Sequence, residues 1–245
     1  MESVGLIMFA NIYKNKKVLV TGHTGFKGTW LTMWLLKLGA NIVGISKDIP
    51  TSPSMFEELK LKDKIEHYQE DIRDLSKMTE IMAHEKPDFL FHLAAQAIVS
   101  TSYTNPIETI TSNVVGTANI LEALRESNHK CTVIIITSDK AYDNVEQVWG
   151  YKEDDKMGGK DIYSGSKGAA ELIIKSYYHS FFKSNKSNIK LAIGRAGNVI
   201  GGGDWANDRI VVDCMEAWSK GQSVEIRSPE ATRPWQHVLE PLSGY

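Results

Sequence analysis

The chain has 245 residues, of which 42% are hydrophobic and 24% are charged. It carries 28 Lys and Arg residues against 30 Asp and Glu residues, a formal net charge of −2. These values are ordinary for a globular protein and exclude a disordered, collagen-like or coiled-coil chain. Because basic residues are not in excess, any anionic ligand must be bound by a local site.

The cysteines and the N-terminus bear on the compartment. Cys131 and Cys214 are too few for a disulfide framework, and no CxxC or His/Cys cluster suggests zinc, so no metal site is predicted. No run approaches the ~18 apolar residues of a membrane span. The first ten residues carry Glu2 and lack the basic segment of a secretory signal, and Met8 could be the natural start. We therefore expect a cytoplasmic protein in a reducing compartment.

The predicted elements alternate between strands and helices. Strands are predicted at residues 17–21, 41–45, 65–69, 89–93, 131–137 and 190–193. Helices are predicted at residues 29–38, 75–84, 107–125, 163–182 and 210–220. This order predicts an α/β fold, a Rossmann-type doubly wound parallel sheet that binds ligands at the carboxyl ends of its strands. Loops become frequent after residue 200, which separates a predicted cofactor domain (1–200) from a smaller unit (201–245).

A glycine-rich loop joins the first strand to the first helix. It reads Thr21-Gly22-His23-Thr24-Gly25-Phe26-Lys27-Gly28. Glycines in a strand–loop–helix unit allow a tight turn and a close approach of the backbone to a pyrophosphate at the helix N-terminus. A purely structural turn is the alternative, and the context favours a dinucleotide. His23 and Lys27 could meet phosphate or substrate.

The end of the second strand leaves the type of dinucleotide open. An acidic residue there usually binds the ribose 2′-hydroxyl of NAD. This chain has Ser46-Lys47-Asp48 at that point. Lys47 could tolerate the 2′-phosphate of NADP, and Asp48 comes late in the sequence for the usual contact.

Two further groups of residues indicate proton chemistry. Tyr163 and Lys167 are four residues apart, so a helix places them on one face, where the lysine charge favours a tyrosine phenolate. Ser138, Asp139 and Lys140 follow the predicted fifth strand, where doubly wound sheets place reactive groups. Because neighbouring strand residues point to opposite faces, these three can reach one substrate only if the strand has already ended.

Four long motifs lie at residues 21–28, 137–142, 194–205 and 233–238. Together they resemble the extended short-chain dehydrogenase/reductase superfamily (NAD-dependent epimerase/dehydratase family). Within it they are similar to the nucleotide-hexose 4,6-dehydratases that act on CDP-glucose. Other hexose dehydratases carry Asp-Glu where this chain has Asp139-Lys140, and the CDP-glucose branch is similar in having lysine.

The resemblance implies a dehydration that uses NAD as an internal hydride carrier. Tyr163, with Lys167 and Ser138, would remove the C4 hydroxyl proton of CDP-glucose while a C4 hydride leaves. Lys140 would take the C5 proton and Asp139 would protonate the departing C6 hydroxyl. The product would be CDP-4-keto-6-deoxyglucose, a lyase product that serves 3,6-dideoxyhexose and O-antigen (lipopolysaccharide) synthesis.

The resemblance also implies binding residues, a partial domain and an assembly. Further cofactor contacts are expected from Asp71, Ile72, Leu93, Ala94, Ala95, Gln96 and Asn113. Substrate contacts are expected from Asn198, Arg209, Arg233 and Trp235. The family carries a further C-terminal stretch, so residues 201–245 are expected to form part of a sugar-nucleotide domain. A homodimer or a dimer of dimers is expected, with neither nucleic acid nor membrane as a partner.

Two other functions remain open at this point. An NAD(P)-dependent nucleotide-sugar epimerase or reductase would use Tyr163 and Lys167 without loss of water. A binding protein without catalysis could keep the same fold, but it would have no need to retain both residues.

Overall fold

The computed structural model describes residues 8–184 and 186–245 of the chain. The question of a start at Met8 concerns residues 1–7, which lie outside the described residues. The main sheet is entirely parallel, with the strand order β3-β2-β1-β4-β5-β6. Its strands are β1 (Lys17–Thr21), β2 (Asn41–Ile45), β3 (Glu66–Tyr68), β4 (Phe89–His92), β5 (Cys131–Ile136) and β6 (Ile189–Gly194). The predicted doubly wound sheet is confirmed.

Helices connect the strands and cover both faces of the sheet. They are α1 (Phe26–Lys37), α2 (Met55–Glu58), α3 (Leu75–Glu85), α4 (Val99–Thr104), α5 (Pro106–Ile110), α6 (Gly116–Ser127), α7 (Ile162–Tyr177), α8 (Ile210–Ser219) and α9 (Leu239–Gly244). A π-helical turn at Thr111–Val115 joins α5 to α6, so the predicted helix 107–125 is one helical run with a wider turn inside it. Within the described residues, no helix is long and apolar enough to cross a bilayer.

The strands are apolar on both sides because each face of the sheet is covered. Leu19 and Val133 belong to one buried cluster, together with residues of α3, α6 and α7. Val18, Val20 and Phe91 belong to a second cluster, together with residues of α1 and α9. Successive strand residues point to opposite faces, and here both faces meet a hydrophobic layer.

The order of the strands determines where a ligand can bind. The chain moves outward from β1 to β2 and β3, and then returns to β4 on the other side of β1. The helices α1 and α6, which follow β1 and β4, therefore lie on opposite faces of the sheet. Such a switch point leaves a crevice, which is the usual ligand site of doubly wound sheets.

A small second sheet lies beyond β6. It pairs β7 (Asn198–Ile200) with β8 (Trp235–His237) in parallel, so it takes strands from both sides of the predicted boundary at residue 200. The chain then returns to the main core, where Val238 and Leu242 pack in the same cluster as Val20. The end of the chain, from Val238 to Leu242, thus packs on the core.

Candidate active site

The glycine loop after β1 brings backbone segments into close contact. Gly22 has φ +74°, and a Cβ atom there would lie 2.7 Å from the backbone nitrogen of Ala94. A Cβ atom on Gly28 would lie 2.0 Å from the carbonyl oxygen of Gly22. A side chain at either position would force the loop away from β4 or from its own helix. Gly22 thus brings the loop after β1 against the loop after β4, and Gly28 brings α1 against its own loop.

The N-terminus of α1 opens into this crevice. Gly25 is the residue before the helix, and no side chain caps the helix there. The first N–H groups of a helix have no partner within it, and they carry partial positive charge. A glycine loop with an uncapped helix N-terminus has the donors and the space that a pyrophosphate needs. The loop predicted from residues 21–28 therefore fits a dinucleotide.

The His23 side chain does not face this crevice, which corrects the suggestion that it meets phosphate or substrate. Its imidazole is completely buried and hydrogen-bonded to Ser46 Oγ at 3.1 Å and His67 Nδ1 at 2.8 Å. Burial and the neighbouring His67 lower the pKa of His23 to about 4. A Cβ atom on Gly44 would lie within 2.6 Å of the ring, so the imidazole occupies the space that this glycine leaves. Only the backbone of His23 can contribute to the loop.

The basic residues near the ends of β2 and β3 form ion pairs with acidic side chains. Lys47 Nζ lies 2.8 Å from Glu108 Oε1, and Arg73 donates to both carboxylate oxygens of Asp71. The hydrogen bond from Arg73 lowers the pKa of Asp71. Ile72 is buried, and its side chain takes the space that Gly116 leaves in α6. Ile72 can therefore meet an adenine ring only through its backbone, which narrows the predicted contact.

The loop after β4 is fixed to the neighbouring helices by Asn113. This residue is buried in the π-helical turn and does not face solvent. Its Oδ1 accepts from Gln96 N at 2.8 Å, and its Nδ2 donates to Gln96 O at 3.1 Å and to Ser166 Oγ at 2.9 Å. Asn113 thus joins the loop that contains Ala94 and Ala95 to the helix that carries Tyr163.

The predicted pair of Tyr163 and Lys167 lies on α7 and is buried. Lys167 Nζ is 5.9 Å from the centroid of the Tyr163 ring. Burial lowers the pKa of Lys167 to about 8, and the positive charge of Lys27 acts in the same direction. Burial raises the pKa of Tyr163, while a hydrogen bond with Ser138 opposes this rise. The sequence predicts that the lysine charge favours the phenolate. In the structure, burial is the larger influence on Tyr163, and it raises the pKa.

The predicted acid–base residues lie on a tight turn directly after β5. The strand ends at Ile136, and a single 3₁₀ turn covers Asp139–Ala141. Ser138 Oγ accepts from the backbone N–H of Lys140 at 3.2 Å and donates to Asp139 Oδ1 at 3.0 Å. The geometric condition is confirmed, because the strand has ended before the three polar residues begin.

Positive charge is concentrated around this turn. Burial lowers the pKa of Lys27 to about 8, the charge of Arg209 acts in the same direction, and the carboxylate of Asp139 opposes both. Arg209 Nε also lies 3.3 Å from Asp204 Oδ2. Lys27 is therefore close enough to Asp139 and Arg209 for their charges to act on it. Lys167 is a further cation near Tyr163.

The small sheet places the predicted substrate residues beside the same turn. Asn198 in β7 is the register partner of Trp235 in β8, and its N–H donates to Pro234 O at 3.0 Å. A Cβ atom on Gly197 would lie 3.5 Å from Asp139 Oδ2, so the carboxylate lies next to this strand. Arg233 is exposed and donates to the carbonyl of Thr232. Among the described residues, β7 and β8 thus form one wall beside Asp139.

A buried ion pair next to the site was missed by the sequence prediction. Glu171 is fully buried and accepts from Thr137 Oγ1 at 2.6 Å and from Arg195 Nε at 2.7 Å. Glu171 follows Lys167 by four residues, so the helical spacing that identified Lys167 places Glu171 on the same face. Arg195 directly follows β6, and no local signal connects it to Glu171.

The sheet, the glycine loop and the Tyr163–Lys167 pair define the class of extended short-chain dehydrogenases/reductases. The family model described as GDP-mannose 4,6 dehydratase matches residues 19–243, and the chain belongs to this family. It is 50% identical over 238 residues to a CDP-glucose 4,6-dehydratase of Salmonella typhimurium, which covers 96% of this chain. It is 31% identical over 183 residues, or 67% of this chain, to a CDP-paratose 2-epimerase of Salmonella typhi.

Solved structures show the same fold at low identity. A UDP-glucose 4-epimerase of Thermotoga maritima has a TM-score of 0.80 at 24% identity, over 92% of this chain and 71% of its own. DesIV of Streptomyces venezuelae, a dTDP-glucose 4,6-dehydratase, has a TM-score of 0.81 at 20% identity, over 93% of this chain and 70% of its own. The chain spans 66% of the length of the Salmonella typhimurium relative and 54% of the Salmonella typhi relative.

Proposed function

We propose that the chain supplies the catalytic residues of a CDP-glucose 4,6-dehydratase, a lyase that removes water from the hexose. The observation that carries the proposal is the Asp139–Lys140 turn beside Tyr163. An epimerase needs only a group that moves the proton of the C4 hydroxyl. A dehydratase also needs a base for C5 and an acid for the C6 hydroxyl, and two adjacent groups of opposite type serve these roles. The 50% identity to the Salmonella typhimurium enzyme supports the same substrate.

We propose NAD as the cofactor. The clearance at Gly22 and Gly28 and the uncapped N-terminus of α1 fit its pyrophosphate. Bound NAD supplies a hydride acceptor for C4 and a hydride donor for C6. Lys47 is paired with Glu108, and this acidic partner opposes the binding of a 2′-phosphate beside Lys47. This pairing supports NAD over NADP.

The residues of this chain provide the proton transfers. Tyr163 accepts the proton of the C4 hydroxyl, helped by the positive charge of Lys167 and the hydrogen bond with Ser138. The C4 ketone then makes the C5 proton acidic. Lys140 removes that proton and Asp139 gives a proton to the C6 hydroxyl, which leaves as water. Because C5 is protonated again at the end, the product carries one solvent hydrogen at that carbon.

The small sheet and α8 form the proposed substrate side of the site. Lys27 and Arg209 provide two positive charges near Asp139, which suits a sugar joined to a diphosphate. Trp235 is 45% exposed on β8 and offers a flat surface to a sugar or a base. We assign substrate contacts to Asn198 and Arg233 as well, and we propose that residues 201–245 are part of a substrate domain.

We further propose that the chain forms a homodimer and that α5 and α7 form the interface. Ile107 on α5 is 70% exposed and Leu172 on α7 is 56% exposed. Large exposed apolar side chains on neighbouring helices are typical of a protein interface. Replacement of Leu172 by glutamate should convert the dimer to a monomer in sedimentation experiments.

The proposed function is tested by incubating the chain with CDP-glucose and NAD in heavy water. We expect a 4-keto-6-deoxy sugar with deuterium at C5, together with no net consumption of NAD. A product inverted at C4 that still carries its C6 hydroxyl would support an epimerase instead. A 4-keto product without deuterium at C5 would contradict the role of a C5 base.

A further inference from the structure

The Arg195–Glu171 ion pair joins two elements of the proposed active site. Arg195 donates through Nε and Nη2 to the two carboxylate oxygens of Glu171 at 2.7 and 2.6 Å. Glu171 is completely buried, and the Arg195 side chain is 13% exposed. Thr137, two residues before Asp139, donates to the same carboxylate at 2.6 Å. Two parallel hydrogen bonds fix the plane of a guanidinium, so its orientation is set by α7.

The other side of the guanidinium contacts the segment that follows the Asp139–Ala141 turn. Arg195 Cζ lies 4.5 Å from the centroid of the Tyr142 ring. Its Nη1 also donates to the carbonyl oxygen of Glu153 at 3.2 Å, and its Nη2 lies 3.8 Å from Met157 Sδ. Arg195 is therefore enclosed between α7 and the segment 142–157. A planar cation over an aromatic ring adds attraction when it is partly desolvated.

Tyr142 is the residue that closes the turn of the proposed acid and base. Its N–H donates to Asp139 O at 3.2 Å. The N–H of Asp139 donates to Ala196 O at 3.2 Å, and Ala196 follows Arg195 in the chain. Residues 195 and 196 therefore hold the two ends of the turn, one through a side chain and the other through a carbonyl group.

We propose that Arg195 is a positioning residue that sets the Asp139–Lys140 turn relative to the Tyr163–Lys167 pair. Glu171 lies one helical turn beyond Lys167 on α7, and Tyr142 closes the turn that contains Lys140. Arg195 connects the two and needs no contact with substrate to act. The proposal rests on the dehydratase function above. It predicts that the proton transfers at C5 and C6 depend on Arg195 more than hydride removal at C4 does.

The test compares Arg195→Met, Arg195→Lys and Tyr142→Ala with the wild-type chain. The last variant removes the ring under the guanidinium and leaves the buried pair with Glu171 intact, so its folding does not depend on that pair. Arg125→Met is the matched control. Arg125 also pairs with a glutamate (Glu122), and its Cζ lies 5.4 Å from the centroid of an aromatic ring (Phe181). It differs in its location, because it lies in the last turn of α6, just before the chain enters β5 at its amino end.

We expect the Arg195→Met variant to lose about 100-fold in the rate of the 4-keto-6-deoxy product, with KM changed less than about threefold. In a single turnover, reduced nicotinamide should accumulate, because C4 oxidation continues while C5 exchange is slow. Tyr142→Ala should show the same imbalance at about tenfold, and Arg195→Lys should restore part of the rate. Equal losses in both steps, or a Tyr142→Ala variant like wild type, would overturn the proposal.

A second readout does not depend on turnover. Arg195 contacts Glu153 and Met157, so loss of its side chain should loosen the segment that contains the exposed Lys152, Lys156 and Lys160 and make it easier for trypsin to cleave. We expect cleavage there to be about tenfold faster in Arg195→Met and unchanged in Arg125→Met. Unchanged cleavage in both would contradict the positioning role. If the wild-type chain does not turn over CDP-glucose, the proposed function fails, a result distinct from a wild-type enzyme whose variants show balanced losses.

Discussion

Lys167 Nζ lies 5.9 Å from the centroid of the Tyr163 ring, and both side chains are at least nine-tenths buried. The pair is held between the turn after β5 and the helical run that contains Asn113. Ser166, which lies between the two residues in sequence, accepts from Asn113 Nδ2 at 2.9 Å. The orientation of α7 is therefore fixed by the same residue that holds the loop after β4.

Replacement of Tyr163 by phenylalanine should abolish turnover and preserve binding. The hydroxyl is the only group removed, and general acid–base catalysis typically contributes about 10²–10⁴-fold. We expect kcat to fall by that amount while the dissociation constant of CDP-glucose, measured by calorimetry, changes little. Tyr178→Phe, directly after the far end of α7, is the control. An equal loss of activity in the control would show a general effect on α7.

The stability of the protein should depend on pH through Lys167. Burial holds its pKa at about 8 in the folded protein, below the value of about 10.4 in an unfolded chain. Between these two values the unfolded state binds more protons, so the contribution of Lys167 to stability rises with pH across that window. Below about pH 8 the full cost of burying the charge remains, on the order of 3 kcal/mol at most.

The Lys167→Met variant should lack this dependence. In urea unfolding, the variant should have a higher unfolding free energy relative to wild type at pH 7 than at pH 10. Lys175→Met, which removes an exposed lysine of the same helix, should follow wild type at both values. A difference between Lys167→Met and wild type that does not change with pH would contradict the prediction.

Replacement of Lys140 by methionine should separate the two halves of the reaction. In the proposed mechanism, the first hydride removal needs Tyr163 and Lys167, whereas loss of the C5 proton needs Lys140. In heavy water, we expect reduced nicotinamide to form while C5 acquires no deuterium above background. If both steps fall together, Lys140 holds the site in shape and another group is the base.

Gly28 and Gly25, two of the three glycines in the loop, should respond differently to replacement by alanine. A Cβ atom on Gly28 would lie 2.0 Å from the carbonyl of Gly22, whereas one on Gly25 would lie 3.5 Å from it. We expect Gly28→Ala to lower the unfolding free energy by about 1–3 kcal/mol, the usual cost of forced overpacking. Gly25→Ala should unfold like wild type. Equal unfolding curves for the two variants would contradict the close approach of α1 to the loop.

The sequence predicts the sheet and the candidate residues after β5 because both depend on local patterns. Alternating apolar strands and helices, the glycine spacing and the Tyr163–Lys167 interval are all readable within a few residues. The sequence shows only that β5 must end before Ser138 if all three polar residues are to reach one substrate. The structure shows that it ends at Ile136.

Contacts between distant segments could not be predicted in this way. His23 is 44 residues from His67, and its burial depends on the space left by Gly44. Arg195 meets Glu171 and Tyr142 only when β6, α7 and the segment after β5 are assembled. Nothing in the local composition marks these side chains as partners, because the pairing follows from the order of strands in the sheet.

The most direct test of the central claim uses CDP-glucose labelled with deuterium at C4 of the hexose. Internal hydride transfer together with loss of water predicts that the label appears at C6 of the 4-keto product, within the same molecule. Nuclear magnetic resonance of the product locates the label. Label that stays at C4 of an epimerised sugar, or that leaves in free reduced nicotinamide, would contradict the assignment of Asp139 and Lys140 to a dehydration.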